Sequence, residues 1–494
     1  MRTFLISIAL AGAPLAQVHY HDHGAPWNRK VDRGPDAEVD GWYLNLGITG
    51  MRVELRAERP KALLVRHVFE GSPADGRVKV GDWILGAGGD AFVEEHQNGY
   101  GMEVFGARGP IGEFALALEA AQTKGEKGTL DLELEREGKP RTASLKLGTK
   151  YGAFGPEFPL DCPKSERLLD ELCEVLVEAQ RPDGSFGSVV ENTFAPLALL
   201  GTNPKKYAKS IRRAAKFHAD TTHAIDEGSL INWRYMSAAI VLSEVALAKP
   251  DKALVRELEE IYAFLASTQY LSLDQVNPRV KESHPNDWPE DPMDSHGGWG
   301  HNPGFEGYGP IAMITGQGAL AFSLMARAGV AVDRKRHDAA FAFLERGSGA
   351  NGYVWYGDEN AGDTNWADMG RTGAAGMANW LAPYDEKPYA ERADLHAKVI
   401  GRHPESFPDT HGSPLMGMGY AALAAFTHRG AWRSVMDANR WWFALSQCHD
   451  GTYYYQPNRD NAGYDSNSRV RASAVTAFIL SLPKRGLVLS GRED

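Results

Sequence analysis

The sequence has little cysteine, no excess of positive charge and no long apolar run beyond its first residues. Its 494 residues include three cysteines, Cys162, Cys173 and Cys448, which are too few for a disulfide framework and lack the paired spacing of a structural zinc site. Lys and Arg number 53 and Asp and Glu 64, so the net charge of −11 argues against a nucleic-acid partner. No later stretch reaches about 18 uninterrupted apolar residues. We therefore expect no integral membrane segment.

The N-terminus has the layout of a secretory signal. Arg2 is followed by an apolar run from Phe4 to Leu15 and then by small residues. This pattern predicts a signal peptide over residues 1–17 and a polar linker over residues 18–41. It also predicts export, to the periplasm or out of the cell.

Residues 42–150 show the period of two and the frequent turns of a small β-rich domain. The segment GSPADGRVKVGDWILGAGGDAF, from Gly71 to Phe92, resembles a PDZ domain of the bacterial exported type. The resemblance implies that a peptide or protein C-terminus binds by β-strand addition at Leu46, Gly47 and Ile48. The alternative is that the domain only docks on its neighbour. Within the domain we predict strands at Ala62–Val68 and Thr129–Glu135 and a helix at Gly112–Gln122.

Beyond Leu160, two kinds of helix alternate along the chain. Six are amphipathic: Ser165–Ala179, Lys205–Phe217, Asp251–Leu265, Asp333–Leu344, Lys387–Ile400 and Ala431–Leu445. Six are small and apolar nearly all round: Thr193–Leu200, Met236–Ala248, Pro310–Ala328, Gly370–Leu381, Leu415–Phe426 and Ala472–Leu482. A helix that is apolar on every face must be covered on every face. The alternation therefore predicts an inner ring inside an outer ring, an all-α (α/α)6 toroid over residues 160–485 with a C-terminal tail over 486–494.

The connections from amphipathic to apolar helices are mostly long, and in a toroid they share one end. They are Ala266–Gly309, Glu345–Met369, Arg402–Pro414 and Ser446–Arg471. Long connections in a compact domain usually carry function. The apolar helices begin at the same end, and helix N-termini favour an anionic or electron-rich ligand. We therefore predict the functional face at this end.

Two segments, QRPDGSFG from Gln180 to Gly187 and QCHDGTYYY from Gln447 to Tyr455, resemble a repeat of terpenoid cyclase and protein prenyltransferase toroids. A PDZ-like domain followed by such a toroid is similar to an uncharacterised group of exported bacterial proteins. A structural explanation is available for these segments, because Asp-Gly makes a turn, the aromatic residue packs beneath it and Gln holds the helix end. The acidic motifs DxDD and DDxxD do not occur. The chemistry of terpenoid cyclases is therefore disfavoured.

The long connections contain aromatic residues beside His, Asp and Arg, a combination that suits a glycan or a peptide chain. The candidate catalytic residues are His301, Tyr308, Asp363, Asp368, Arg371 and His411. The candidate substrate-binding residues are Trp299, Trp355, Trp366, Tyr454, Arg459 and Arg469.

Three chemistries remain open for these residues. Asp363 and Asp368 provide the paired carboxylates of glycoside hydrolysis. His301 or His411, with Tyr308 and Arg371, suits β-elimination from a uronate. A metal site at His296, His301, His403, His411 and Asp409 is the third option; it has no recognised spacing, and we predict neither metal nor cofactor. Each residue also has a structural alternative, since loop His and Asp often cap helices or hold loops together.

Three functions follow from these alternatives. The first is an exported enzyme, a hydrolase or a lyase, that binds and cleaves a polysaccharide or another polymer, with an acidic glycan as the candidate ligand of the toroid. The second is a noncatalytic scaffold that binds protein through both domains. The third is a toroid that processes lipids.

Overall fold

The computed structural model describes residues 43–56, 58–96, 108–222, 230–360, 362–364, 366, 369–408, 414–456 and 469–493. The predicted signal peptide and linker lie outside these ranges, as do the candidate site residues Asp368, His411 and Arg459. Within them, no helix is long and apolar enough to cross a membrane. The three cysteines, all within these ranges, form no disulfide.

The N-terminal unit is an antiparallel sheet with one helix. Its elements are β1 Leu44–Asn45, β2 Met51–Glu54, β3 Leu63–Val68, β4 Trp83–Ala87, β5 Asp90–Ala91, α1 Pro110–Ala121, β6 Thr129–Arg136 and β7 Lys139–Lys146. The strands lie in the order β1-β2-β3-β4-β6-β7, and β5 pairs with β4. In β6, Leu130, Leu132 and Leu134 are buried while Asp131 and Glu133 are exposed. This alternation is the sequence signal of a strand with one buried face, and the predicted strands and helix are confirmed.

The described residues from 163 onward form two rings of helices. The outer helices are α2 Pro163–Ala179, α4 Ala208–Asp220, α6 Lys252–Thr268, α9 Arg334–Arg346, α11 Lys387–Arg402 and α13 Arg429–Ala438. The inner helices are α3 Val189–Thr202, α5 Ile231–Ala248, α8 Ala312–Arg327, α10 Met369–Trp380, α12 Pro414–Phe426 and α15 Arg469–Ser481. Two short helices, α7 Val280–Ser283 and α14 Arg440–Ser446, lie in connections. Each inner helix packs against the next one along the chain, and α15 packs against α3. The ring is therefore closed, as the alternation of helix types predicts.

Side chains fill the centre of the ring. Tyr420 on α12 donates a hydrogen bond across the ring to Gln317 on α8, with 3.3 Å between the hydroxyl oxygen and Oε1. Phe194 on α3 packs edge-on against Tyr420. The helices approach closely, since a Cβ added to Gly373 on α10 would lie 2.5 Å from the backbone nitrogen of Ala421. Because the centre is packed, a ligand can bind at the rim but not through the ring.

The loop predicted to receive a peptide C-terminus is covered by α14. Leu46, Gly47 and Ile48 are all buried. A Cβ added to Gly47 would lie 2.9 Å from the carbonyl oxygen of Ala444, and the side chain of Leu445 belongs to the core of the small domain. The helix thus occupies the position where a peptide would bind, which corrects the prediction of an open peptide site. The small domain docks on its neighbour here.

Polar contacts hold the small domain against the toroid. The amide group of Asn45 donates to the carbonyl oxygen of Leu445 at 2.6 Å. The backbone of Asn45 exchanges two hydrogen bonds with the side chain of Gln456, at 2.8 and 3.1 Å. Lys164 on α2 is buried and forms an ion pair with Glu119 on α1. These contacts join the two parts.

Residues near the C-terminus pack against the ring instead of extending as a tail. Leu487, Val488 and Leu489 are buried. The backbone amides of Val488 and Leu489 donate to the carboxylate of Glu244 at 3.1 and 2.7 Å. Glu244 is fully buried near the C-terminal end of α5, so this segment closes the end of the ring opposite the rim.

Replacing Glu244 by Ala is expected to lower the free energy of unfolding by about 2 to 6 kcal/mol. The substitution leaves two buried amides without their acceptor, and each buried unsatisfied group costs roughly 1 to 3 kcal/mol. Urea unfolding followed by circular dichroism measures the change, with Glu259→Ala on the exposed face of α6 as the control. Equal stability of the two variants would show that the C-terminal segment does not depend on Glu244.

Candidate functional site

Two of the long connections meet at one rim of the toroid. The backbone amide of Ala312, which begins α8, donates to the carbonyl oxygen of Tyr356 at 2.7 Å. The amide of Ser295 donates to the carboxylate of Asp358 at 3.0 Å. The connection before α8 and the connection before α10 are therefore in direct contact. This confirms, for these two connections, that they lie at the same end of the ring.

A line of hydrogen-bonded aromatic side chains runs along this contact. The indole N–H of Trp233, in the first turn of α5, donates to Nδ1 of His301 at 2.8 Å. Nε2 of His301 lies 2.7 Å from the hydroxyl oxygen of Tyr308. The hydroxyl group of Tyr356 donates to the same oxygen at 3.0 Å. Tyr308 and Tyr356 are 44% and 36% exposed, whereas Trp233 is 9% exposed. The line thus runs from the protein interior to the surface.

The contact with Trp233 determines which ring nitrogen of His301 carries the proton. An indole nitrogen can only donate, so Nδ1 must be the unprotonated acceptor. The proton of the neutral ring therefore lies on Nε2 and points at Tyr308. Burial lowers the pKa of His301, an effect that Glu306 partly offsets, so the neutral ring is favoured. The oxygen of Tyr308 then accepts two hydrogen bonds, and its own proton is left to point elsewhere.

Arg371 lies beneath the exposed tyrosines. Its guanidinium carbon is 5.6 Å from the centre of the Tyr356 ring. Its Nε donates to the carbonyl oxygen of Val354 at 3.2 Å, and its Nη2 donates to the hydroxyl group of Tyr353. The side chain is 8% exposed. The guanidinium therefore holds the 353–356 segment and places a positive charge beside the line of aromatic residues.

Asp363, the candidate partner of Asp368 in hydrolysis, is held within its own connection. Its carboxylate accepts hydrogen bonds from the backbone amide of Ala350 at 2.9 Å and from the side chain of Asn360 at 3.0 Å. These two hydrogen bonds lower the pKa of Asp363, so it stays ionised. A glycosidase general acid needs the opposite shift. The separation between Asp363 and Asp368 involves a residue outside the described ranges.

Three candidate substrate-binding residues are turned inward. Trp299 is fully buried, and its indole N–H donates to the carbonyl oxygen of Leu265 at 2.8 Å. Tyr454 is also fully buried, with the guanidinium carbon of Arg52 3.5 Å from its ring centre. Arg469 is 2% exposed and pairs with Asp450. The prediction that these three side chains contact a substrate is corrected, because each is covered by protein.

The other two tryptophan candidates, Trp355 and Trp366, are neither fully buried nor as exposed as Tyr308. Trp355 is half-buried and meets Tyr353 edge-on, with ring centres 5.2 Å apart. Trp366 is 9% exposed and stacks on His403, with 3.7 Å between ring centres. Trp366 and His403 come from adjacent connections. Their stack therefore joins these loops at the rim.

The two segments with Gln and Asp-Gly, Gln180 to Gly187 and Gln447 to Tyr455, have a structural role in turns. The side chain of Gln180 donates to the carbonyl oxygens of Gly184 and Ser210 at 2.9 and 3.0 Å. Asp183 accepts from the amide of Ser185 at 2.9 Å, and Asp450 accepts from the amide of Thr452 at the same distance. These residues hold the turns between outer and inner helices.

Two residues of the site, Trp233 and Tyr356, are not among the site residues predicted from the sequence. The signal for Trp233 is the polar and aromatic run NWR at the start of an otherwise apolar helix. Tyr356 follows Tyr353 and Trp355 in the same short segment. Within the described part of the chain, no group of three or more His, Cys, Asp or Glu residues is arranged to hold a metal ion.

Comparisons with known proteins place the toroid in a family. Residues 165–491 match the family described as Domain of unknown function (DUF6288). No curated protein sequence matches the chain. Among solved structures, an inactive variant of the alpha-1,6-mannanase of Salegentibacter sp. HEL1_6, in complex with alpha-1,6-mannotriose, is 12% identical with a TM-score of 0.44 and covers 65% of this chain and 99% of its own.

Two further structures have the same degree of similarity. A glycosyl hydrolase family 88 from Bacteroides vulgatus is 13% identical with a TM-score of 0.43, over 65% of this chain and 99% of its own. A polysaccharide lyase is 13% identical with a TM-score of 0.43, over 67% of this chain and 99% of its own. Similarities this distant do not extend the activities of these proteins to this chain.

Proposed function

The chain belongs to the DUF6288 family, and we propose that its toroid binds an acidic polysaccharide at the rim and cleaves it by β-elimination through Tyr308. The observation that carries this proposal is the line from Trp233 through His301 to Tyr308 and Tyr356. It ends at a surface-exposed hydroxyl group whose oxygen accepts two hydrogen bonds. Such a group is placed to exchange a proton with a bound ligand.

The exposed part of the site suits a sugar chain. The rings of Tyr308 and Tyr356 lie 5.8 Å apart at an angle of 55° and are both accessible. Aromatic faces cover the apolar faces of sugar rings, and the hydroxyl groups can hydrogen-bond to the sugar hydroxyls. The site lies at the rim of the toroid, because the centre of the ring is filled. A rim can accept an internal segment of a polymer, which a closed cavity cannot.

The proposed reaction needs one proton carrier. As the phenolate, Tyr308 takes the proton from the ring carbon that bears the carboxylate of a uronate. The electron pair of that bond forms a carbon–carbon double bond, and the adjacent bond to the glycosidic oxygen breaks. Tyr308 then returns the same proton to the leaving oxygen, so the step consumes no water and no cofactor. The hydrogen bonds from His301 and Tyr356 stabilise the phenolate, and the charge of Arg371 favours both anions.

Elimination fits the described residues better than hydrolysis does. Hydrolysis requires one carboxyl group that stays protonated and one that stays ionised. Asp363 is of the second kind, because its hydrogen bonds stabilise the carboxylate and lower its pKa. Tyr308 supplies a proton-transfer group without such a pair. We also propose that the protein is exported, because residues 1–17 have the layout of a secretory signal.

Digestion of a panel of polysaccharides tests the proposal. The purified protein is incubated with uronate-containing glycans and, separately, with neutral mannans. Elimination creates a double bond conjugated with the carboxylate, so the expected result is ultraviolet absorbance and shortened chains with the uronate polymers alone. New reducing ends without absorbance would indicate hydrolysis instead. Unchanged polymers throughout would contradict the cleavage activity, and glycan binding in the same samples would then favour a noncatalytic role.

Replacing Arg371 by Ala is expected to weaken binding of the acidic glycan by about 1.5 to 3 kcal/mol, the usual contribution of a hydrogen bond to a charged group. The melting temperature should also fall, because Arg371 holds Val354 and Tyr353. Calorimetric titration and thermal unfolding of the same protein measure both effects. Arg371→Lys keeps the charge without the guanidinium fork and should preserve more of the binding than of the stability. A lower melting temperature with unchanged binding would mean that Arg371 only supports the loop.

A further inference from the structure

We propose that Trp233 is a positioning residue: its indole N–H fixes the tautomer of His301 and thereby directs the hydroxyl proton of Tyr308 away from the protein and toward the ligand. The catalytic consequence of this inference rests on the proposed function. The tautomer itself is a property of the folded protein and can be measured without any substrate.

The contact between Trp233 and His301 is a hydrogen bond between two rings with nearly parallel planes. The indole nitrogen is 2.8 Å from Nδ1, and the ring centres are 5.9 Å apart with 22° between the ring planes. Because the lone pair of Nδ1 lies in the plane of the imidazole, this hydrogen bond fixes both the tautomer and the orientation of the ring. Trp233→Phe removes the donor and keeps an aromatic ring beside His301.

The first turn of α5 is attached to the loop that carries His301. The side chain of Asn232 donates to the carbonyl oxygens of Gly300 and Asn302 at 2.9 and 3.0 Å. The backbone amide of Asn232 donates to the carbonyl oxygen of His301 at 3.1 Å. Three hydrogen bonds from one residue thus hold the loop on both sides of His301. This attachment fixes the backbone of the next residue, Trp233, against the loop. The indole of Trp233 therefore lies beside the imidazole of His301.

The tautomer determines the direction of the Tyr308 proton. With the proton on Nε2, His301 donates and the oxygen of Tyr308 accepts, so the Tyr308 proton points outward. With the proton on Nδ1, Nε2 becomes an acceptor and the hydroxyl group of Tyr308 donates inward to it. In that second state the phenolate would also lose one of the two hydrogen bonds that stabilise it. The donor on Trp233 excludes the second state, because two N–H groups would then face each other.

Nuclear magnetic resonance of the full chain labelled with 15N-histidine tests the tautomer directly. Long-range nitrogen–proton spectra distinguish protonated from unprotonated ring nitrogens, and loss of a signal in His301→Gln identifies His301. The expected result is a neutral ring protonated at Nε2 in the wild type and a mixture of tautomers in Trp233→Phe. A wild-type ring protonated at Nδ1, or an unchanged tautomer in a folded Trp233→Phe protein, would overturn the inference.

The catalytic consequence is measured with the same variant. Trp233→Phe is expected to lower kcat by about 10- to 100-fold, the range for a misdirected reacting group, with little change in KM. Trp380→Phe, at the C-terminal end of α10, serves as the control and should retain wild-type kinetics. A rise in KM alone would indicate that Trp233 supports ligand binding and not proton direction. If the wild type cleaves no glycan, the proposed function fails, while the tautomer measurement still decides the role of Trp233.

Discussion

Turnover of a uronate polymer is expected to fall by about 10²- to 10⁴-fold when Tyr308 is replaced by Phe, the range typical of losing a general acid–base group. The variant lacks only the hydroxyl group that carries the proton. Phe keeps the ring, and the two lost hydrogen bonds lie at a side chain that is 44% exposed, so we expect little change in the melting temperature. Initial rates from ultraviolet absorbance and thermal unfolding of the same preparation measure both quantities.

Tyr356→Phe is the matched control for Tyr308→Phe. It removes one of the two hydrogen bonds to the Tyr308 oxygen and leaves the proton carrier in place. One hydrogen bond is worth about 0.5 to 1.5 kcal/mol, so we expect a loss of roughly 2- to 10-fold. Wild-type turnover in Tyr308→Phe would contradict the proposed role of Tyr308. Equal large losses in both variants would show that both hydroxyl groups are needed and would contradict the assignment of proton transfer to Tyr308 alone.

The ring of helices could be predicted from the sequence because the composition of a whole helix shows whether all its faces are buried. A helix such as α8 is buried on every face, and its small apolar residues predict this burial. The start of α5 could not be predicted in the same way. The apolar pattern begins at Met236, whereas the helix begins at Ile231. The first turn contains Trp233 and Asn232, which contact another connection, and no periodicity within α5 encodes that contact.

The aromatic candidates show a second limit of the sequence. Trp299 and Tyr308 lie in the same connection, yet one is fully buried and the other is 44% exposed. Their difference depends on which part of the loop packs on α6 and α8. The covering of Leu46 by α14 is of the same kind, because it is set by docking between two folded parts. Local patterns predict elements, while contacts between distant elements decide which side chains reach a ligand.

Three histidines link the outer helices to the inner part of the toroid. His218 on α4 donates to the carbonyl oxygen of Asn192 at 2.9 Å, and His337 on α9 donates to that of Ala319 at 3.0 Å. His396 on α11 donates to the carbonyl oxygen of Gly352 at 2.8 Å. All three are at most 2% exposed. Burial lowers the pKa of each to about 4, so the folded protein holds them neutral.

The folded protein is therefore expected to lose stability as the pH falls from about 6.5 to about 4. In this range the unfolded chain binds protons at His218, His337 and His396, whose ordinary pKa is about 6.5, while the folded chain does not. The stabilisation is complete above pH 6.5. Each histidine removes up to about 3 kcal/mol by pH 4, and three together remove up to about 9 kcal/mol, which is comparable with the stability of a typical domain.

Urea unfolding at a series of pH values measures this loss. These three histidines should contribute about 4 kcal/mol per pH unit to the slope of the unfolding free energy near pH 5, since each contributes about 1.4 kcal/mol per unit. His96, whose pKa burial also lowers to about 4, adds a contribution of the same sign. His396→Gln retains an N–H donor for Gly352 and cannot titrate, so it should lower the slope by one such increment. A free energy of unfolding that stays constant between pH 7 and pH 5 would mean that the histidines are protonated in the folded protein. An unchanged slope in His396→Gln would mean that other groups, and not His396, cause the loss of stability at low pH.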